Sequence, residues 1–252
     1  MDLSRRELNK VPQITLAFWV IKIFATTLGE TGGDAVSMTL GLGYLASTAV
    51  FFAIFLVVAA AQVRANRYHP ALYWAVILAT TTAGTTLSDF LDRSAHLGYL
   101  GGSLLLLALL GAILLAWRLA MGRIVFQHVA DRRVESFYWA AILISNTLGT
   151  ALGDFTADDK GLGYHGGALV FGGLIALIGA AYLFTRMPRV LLFWAAFVLT
   201  RPLGATLGDS LTKPLRDGGL ELGTIPSSAL LAVAVVVLVA LAARKPSVEA
   251  DG

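Results

Sequence analysis

The motif Trp-x9-Gly-x4-Asp occurs four times in this chain without a slip in register. Trp19, Trp74, Trp139 and Trp194 each stand ten residues before a glycine: Gly29, Gly84, Gly149 and Gly204. Asp34, Asp89, Asp154 and Asp209 follow those glycines by five residues. The copies start 55, 65 and 55 residues apart, a spacing that groups them as two pairs. Self-similarity at a fixed period means that one supersecondary unit is used repeatedly and that neighbouring copies pack on one another.

Composition says what the unit is made of. Of the 252 residues 57% are hydrophobic and 14% charged, whereas soluble domains carry about 25% charged residues. A membrane-crossing helix needs about 20 apolar residues. Each repeat supplies two such runs, near residues 11–30, 69–87, 136–153 and 190–207 for the first helix. The second helices fall near 43–63, 97–119, 164–184 and 225–243. The expected fold is therefore an all-α polytopic membrane protein. Eight transmembrane helices form four parallel two-helix repeats (roughly 11–65, 66–123, 131–186 and 187–245) in one integral membrane domain spanning 1–252. The short basic start leads directly into a long apolar run, which reads as an uncleaved first helix rather than a signal peptide. The chain has no cysteine, which excludes disulfides, thiolate chemistry and cysteine metal sites.

Charge placement gives the topology. Thirteen of the 19 Lys and Arg residues lie in or beside the links between repeats or at the ends, and ten of the 16 acidic residues lie in or beside the links between the two helices of a repeat. The positive-inside rule then puts both termini and the inter-repeat links in the cytoplasm. The acidic motifs fall toward the other side. The net charge of +3 is accounted for by topology, and no nucleic-acid partner is expected. Because every repeat is a full hairpin, all four enter in one direction, and their first helices can gather round an axis along the membrane normal.

If each first helix continues through its motif, residues three, four and seven apart share a face. Thr27, Glu30, Thr31 and Asp34 form one polar stripe. Thr82, Thr85, Thr86 and Asp89 form a second; Thr147, Thr150 and Asp154 a third; Pro202, Thr206 and Asp209 a weaker fourth. Such stripes belong in a bundle interior, and the motif glycines allow close helix approach. The bland alternative is that the aspartates cap helix ends and shape turns. The copies are not equal. Glu30 aligns with Thr85, Thr150 and Ala205; Lys22 with Ile77, Ile142 and Phe197; Arg201 with Thr26, Thr81 and Asn146. Lys22 and Arg201 are expected to pair with interior carboxylates, so that four scaffold copies surround one asymmetric site.

The candidate ion ligands are Glu30, Asp34, Asp89, Asp154 and Asp209, with Thr27, Thr82 and Thr147 beside them and Lys22 and Arg201 as counter-charges. Carboxylate and hydroxyl oxygens are hard ligands that suit Mn²⁺, Mg²⁺ or Ca²⁺. His96 and His165 lie near the acidic motifs; His69 and His128 are expected in solvated links. The four Trp read as packing elements between repeats. Gly43-Tyr44, Gly98-Tyr99 and Gly163-Tyr164 open the second helices, and an insertion at 213–221 caps or gates the far side of the fourth repeat.

From about Phe18 to Ala243 the chain resembles a bacterial membrane-protein family of four tandem repeats of unknown function, each with two membrane helices and a Trp. The resemblance rests on Trp19/Gly29/Asp34 and their counterparts, and it implies fold and location rather than activity. The leading expectation is a secondary transporter exporting a hard divalent cation, manganese first, in exchange for protons. A bound divalent cation is the one cofactor implied, and the lipid bilayer, a small inorganic cation and protons are the partners. Two other readings stand beside it. One is transport of a small anionic or organic solute anchored on Lys22 and Arg201. The other is a structural or assembly protein without transport. The sequence shows no nucleophile–His pairing, His metal motif or phosphate loop, so no enzyme is expected.

Overall fold

The computed structural model describes residues 10–125, 129, 131–159 and 161–244, with the backbone alone at 158–159. Arg5, Arg6, His128 and Lys245 lie outside these. The described chain is helical: α1 (Leu16–Asp34), α2 (Tyr44–Arg64), α3 (Pro70–Asp89), α4 (Gly98–Met121), α5 (Arg132–Asp154), α6 (Gly163–Phe184), α7 (Arg189–Thr212) and α8 (Thr224–Arg244). Local chemistry sets several starts. Thr15 caps α1 by accepting from the Phe18 amide, Asp131 caps α5 through Arg133 and Val134, and Pro70 opens α3 without an amide to waste.

The odd-numbered helices form a closed inner ring in which α1 packs on α3, α3 on α5, α5 on α7 and α7 back on α1. Each even-numbered helix covers the first helix of the next repeat: α2 lies on α3, α4 on α5, α6 on α7, and α8 returns to α1. Every hairpin is thus latched to its successor, and the last to the first.

The glycines of the motif explain why the ring closes tightly. A Cβ at Gly29 would overlap Thr81, and one at Gly204 would overlap Thr26. At Gly84 it would stand 3.0 Å from the Thr147 amide nitrogen, and at Gly149 2.5 Å from the Arg201 Cβ. Each motif glycine therefore receives the next repeat at the same height.

Outer and inner helices differ in what they expose. Large apolar side chains such as Val57, Leu169, Phe184 and Leu230 are 70% or more exposed on the outer helices. Five helices (α2, α4, α6, α7 and α8) are long and apolar enough to cross a membrane, which points to a membrane protein. The Thr, Gly and charged residues of α1, α3 and α5 leave those three below that hydropathy, so the count by apolarity is five rather than eight.

The first helices do not stop before the motif aspartates. α1, α3 and α5 run to Asp34, Asp89 and Asp154 and continue into one wide π-helical turn (Ala35–Thr39, Phe90–Ser94 and Phe155–Asp159). α7 continues past Asp209 to Thr212. The aspartates are therefore helical residues, and the turn chemistry comes later. There, Gly41, His96, Gly161 and Glu221 occupy equivalent positions and all have positive φ. His96 and His165 are exposed.

Candidate functional site

Residues four apart on the inner helices stack as layers roughly 6 Å apart along the ring. The first layer is aromatic: Phe18, Tyr73, Tyr138 and Phe193, each directly preceding a motif Trp. Tyr73 and Tyr138 share a hydrogen bond of 3.0 Å, and all four of these rings are at most 5% exposed. Trp74 and Trp139 are buried beside them, while Trp194 packs edge-on against Trp117 and Tyr138. These rings close one end of the interior. The Trp are packing elements, as the sequence suggested.

Four residues on come Lys22, Ile77, Ile142 and Phe197, and then Thr26, Thr81, Asn146 and Arg201. Lys22 and Arg201 are both completely buried. Arg201 meets Glu30 in an ion pair of 2.8 Å and also donates to Thr85 Oγ1. Lys22 has no carboxylate partner among the described residues. Its ammonium donates to Asn146 Oδ1 at 3.3 Å and sits 4.3 Å from the centre of the Phe197 ring. The expected pairing therefore holds for Arg201 and not for Lys22, because the nearest carboxylate layer is two turns further along the helix.

The layer of Asp34, Asp89, Asp154 and Asp209 is split into two pairs, each bridged by a cation. Lys213 Nζ lies 2.7 Å from Asp34 and 3.2 Å from Asp209. Arg93 lies 3.2 Å from Asp89 and 3.7 Å from Asp154. Both cations stand four residues after an aspartate of an even-numbered repeat and reach the following repeat, the fourth repeat being followed by the first. Burial pushes the Lys213 ammonium down, but Asp209 and Asp34 outweigh it and hold it well above the usual lysine value. Burial likewise opposes Arg93, and Asp89 and Asp154 raise it.

This division revises the expected five-acid ligand set. Glu30, Asp34 and Asp209 each offer an oxygen within 4.8 Å of the others. Asp89 and Asp154 are not part of that group and are bridged instead by Arg93. The hydroxyls of Thr27, Thr82 and Thr147 donate to the carbonyls of Ile23, Leu78 and Leu143 in their own helices, so they brace the backbone rather than reach the carboxylates. Thr85 is the hydroxyl that does, at 3.3 Å from Glu30.

The insertion of the fourth repeat carries Lys213 and folds back over the end of α7. Leu220 donates to the Ser210 carbonyl, Glu221 to that of Lys213 and Leu222 to that of Leu211. Lys213 and Arg93 were not among the residues singled out from the sequence. Their signal was the Asp-to-cation step of four, present in the second and fourth repeats and absent from the first and third, where Met38 and Asp158 stand.

Four latched hairpins round a polar axis make this a helical-repeat protein with apolar helices of membrane-crossing length. The chain belongs to the family of the Repeat of Unknown Function (DUF347), whose model matches residues 17–68, 72–122, 137–187 and 192–246. No curated protein and no solved structure matches the chain.

Proposed function

We propose that the chain is a multi-pass membrane transporter whose substrate is a hard divalent cation, manganese being the first candidate. Glu30, Asp34 and Asp209 would hold the ion. The observation that carries this is the cluster of three buried carboxylates from two adjacent helices, with oxygens within 4.8 Å of one another. Oxygen-only coordination suits Mn²⁺, Mg²⁺ and Ca²⁺.

The charges support a divalent rather than a monovalent ion. Three carboxylates less the Arg201 charge leave a formal −2, which Lys213 satisfies by half. A divalent ion taking the place of the Lys213 ammonium would satisfy it completely. Carboxylates that release a cation can take up protons, so proton exchange is the coupling we propose.

All eight helices would cross the bilayer, with the polar inner helices shielded by the apolar outer ones. Arg64, Arg118 and Arg244 lie in the last turns of outer helices, at the end opposite the acidic layer. By the positive-inside rule that end, and both termini, would face the cytoplasm of a bacterial inner membrane. The aromatic layer and the axial Lys22 and Arg201 stand between the cluster and that side. This favours a carrier that changes shape over an open pore.

The direct test is Mn²⁺ titration of the purified protein followed by electron paramagnetic resonance. Asp34→Asn and Asp209→Asn are each expected to weaken binding at least about tenfold, or 1.4 kcal/mol. Asp89→Asn and Asp154→Asn are expected to stay within about threefold of the parent. Unchanged binding in Asp34→Asn would refute the assignment.

A further inference from the structure

Between the aromatic layer and the aspartate layer, the inner helices carry three ionisable side chains among the described residues: Lys22, Arg201 and Glu30. Their formal sum is +1. Each is at most 3% exposed, and a net charge confined where water is excluded is costly unless something compensates it.

Hydrogen bonding is out of balance in the same direction. An ammonium has three N–H donors and a guanidinium five. Lys22 uses one, on Asn146 Oδ1 at 3.3 Å, and meets Phe197 through its ring face. That amide is oriented by its own Nδ2, which donates to Thr80 Oγ1 at 2.9 Å. Arg201 Nη2 serves Glu30 and Thr85, while its Nε and Nη1 are buried with no hydrogen-bond partner among the described residues. The interior thus holds a surplus of donors on two cations and few acceptors.

Both cations also lie across the ring. Lys22 on α1 reaches Asn146 on α5, and Arg201 on α7 reaches Thr85 on α3. These are the two diagonals of the ring, since α1 and α5, and likewise α3 and α7, face one another without being neighbours. The positive groups are therefore axial.

We propose that Lys22 and Arg201 form a binding site for a small monovalent anion at the centre of the ring, separate from the carboxylate cluster. An anion accepts from N–H groups that no atom of the described residues satisfies. The ligand is small because the ring is closely packed here: Gly149 lies directly against the Arg201 side chain. Halide, nitrate, formate and bicarbonate share this chemistry. An anion so placed also removes the electrostatic obstacle that two axial cations present to a cation on the same axis.

The test is the thermal unfolding midpoint of the purified protein in EDTA. Chloride, nitrate, formate or bicarbonate is titrated against gluconate, a larger anion, at constant ionic strength. The parent is expected to show a saturable rise with at least one of the four small anions, and the anion that saturates at lowest concentration identifies the ligand. Lys22→Met is expected to raise the apparent Kd at least about tenfold. Glu30→Gln leaves two positive charges unopposed and is expected to lower it at least about tenfold. A packing role for Lys22 and Glu30 would not move the two variants in opposite directions. Should Lys22→Met fail to fold in gluconate, Glu30→Gln alone decides. A parent protein indifferent to all four anions, or a Glu30→Gln protein no more sensitive than the parent, overturns the proposal. Glu30→Gln also removes a carboxylate from the cation cluster. Anion binding that survives there, in EDTA, therefore stands whether or not the chain carries a divalent cation.

Discussion

Lys213 and Arg93 occupy matching positions but differ in what they can give up. Lys213 carries a compact ammonium on a flexible stem, whereas Arg93 carries a planar guanidinium with more donors to spend on Asp89 and Asp154. Replacing Lys213 by Met removes the ion that competes for Asp34 and Asp209, so Mn²⁺ titration should give tighter binding by about tenfold or more. Arg93→Met should leave Mn²⁺ affinity within about threefold and instead destabilise the fold by about 1–3 kcal/mol, a figure reduced because the side chain is partly exposed. Asp92 offers a pH test in the same turn. Burial against Gly102 pushes its carboxyl up to about 6 from 3.8, with Ser88 and Arg93 opposing. A group whose folded pKa is raised contributes most when protonated, and the contribution fades as pH rises between those two values. Asp92→Asn should therefore melt above the parent at pH 7, with the gap closing toward pH 4. The sequence displayed the four aspartates by their repetition, and Glu30, Lys22 and Arg201 by their departures from the repeat. Which acid met which cation was not legible, because Glu30 pairs with a residue 171 positions away.

A helix in this ring is defined less by its caps than by what it allows its neighbour to do. Gly84 admits the backbone of the following repeat at Asn146 and Thr147, with no flexible side-chain end to yield. Gly84→Leu should lower stability by about 1–3 kcal/mol or more through overpacking, read as a fall in melting temperature. Gly111, on an outer helix with nothing within 4 Å of an added Cβ, should accept the same change with little effect. The Gly were legible as close-approach positions from their lack of side chain, and the Trp as packing residues from their depth in the first helices. The Phe or Tyr before each Trp repeats just as faithfully and carries the aromatic closure, yet its apolar character let it blend into the helix. The helices run through the aspartates, as the polar stripes require, and the alternative in which the aspartates shape turns does not hold. The wide π turn and the left-handed residue seven positions after each of the first three aspartates are where the chain reverses.

At the scale of the whole molecule, four repeats of sequence become two pairs of chemistry. The 55, 65 and 55 spacing suggested the pairs one–two and three–four, whereas the two Asp–cation–Asp bridges join repeats two and three and repeats four and one. Eight helices in hairpin order were readable from hydropathy and motif phase. That each outer helix covers the next repeat was not, since apolar helices carry no mark of which neighbour they serve. The axis runs from the carboxylate end past Arg201 and Lys22 to the aromatic closure, and the proposal stands on the acidic end being where a divalent cation binds. Manganese uptake into proteoliposomes reconstituted with the parent, Asp34→Asn and Asp89→Asn tests that most directly. The account predicts robust uptake by the parent, loss of at least about tenfold in Asp34→Asn, and near-parental uptake in Asp89→Asn. Asp34→Asn vesicles that move manganese as fast as the parent would contradict it.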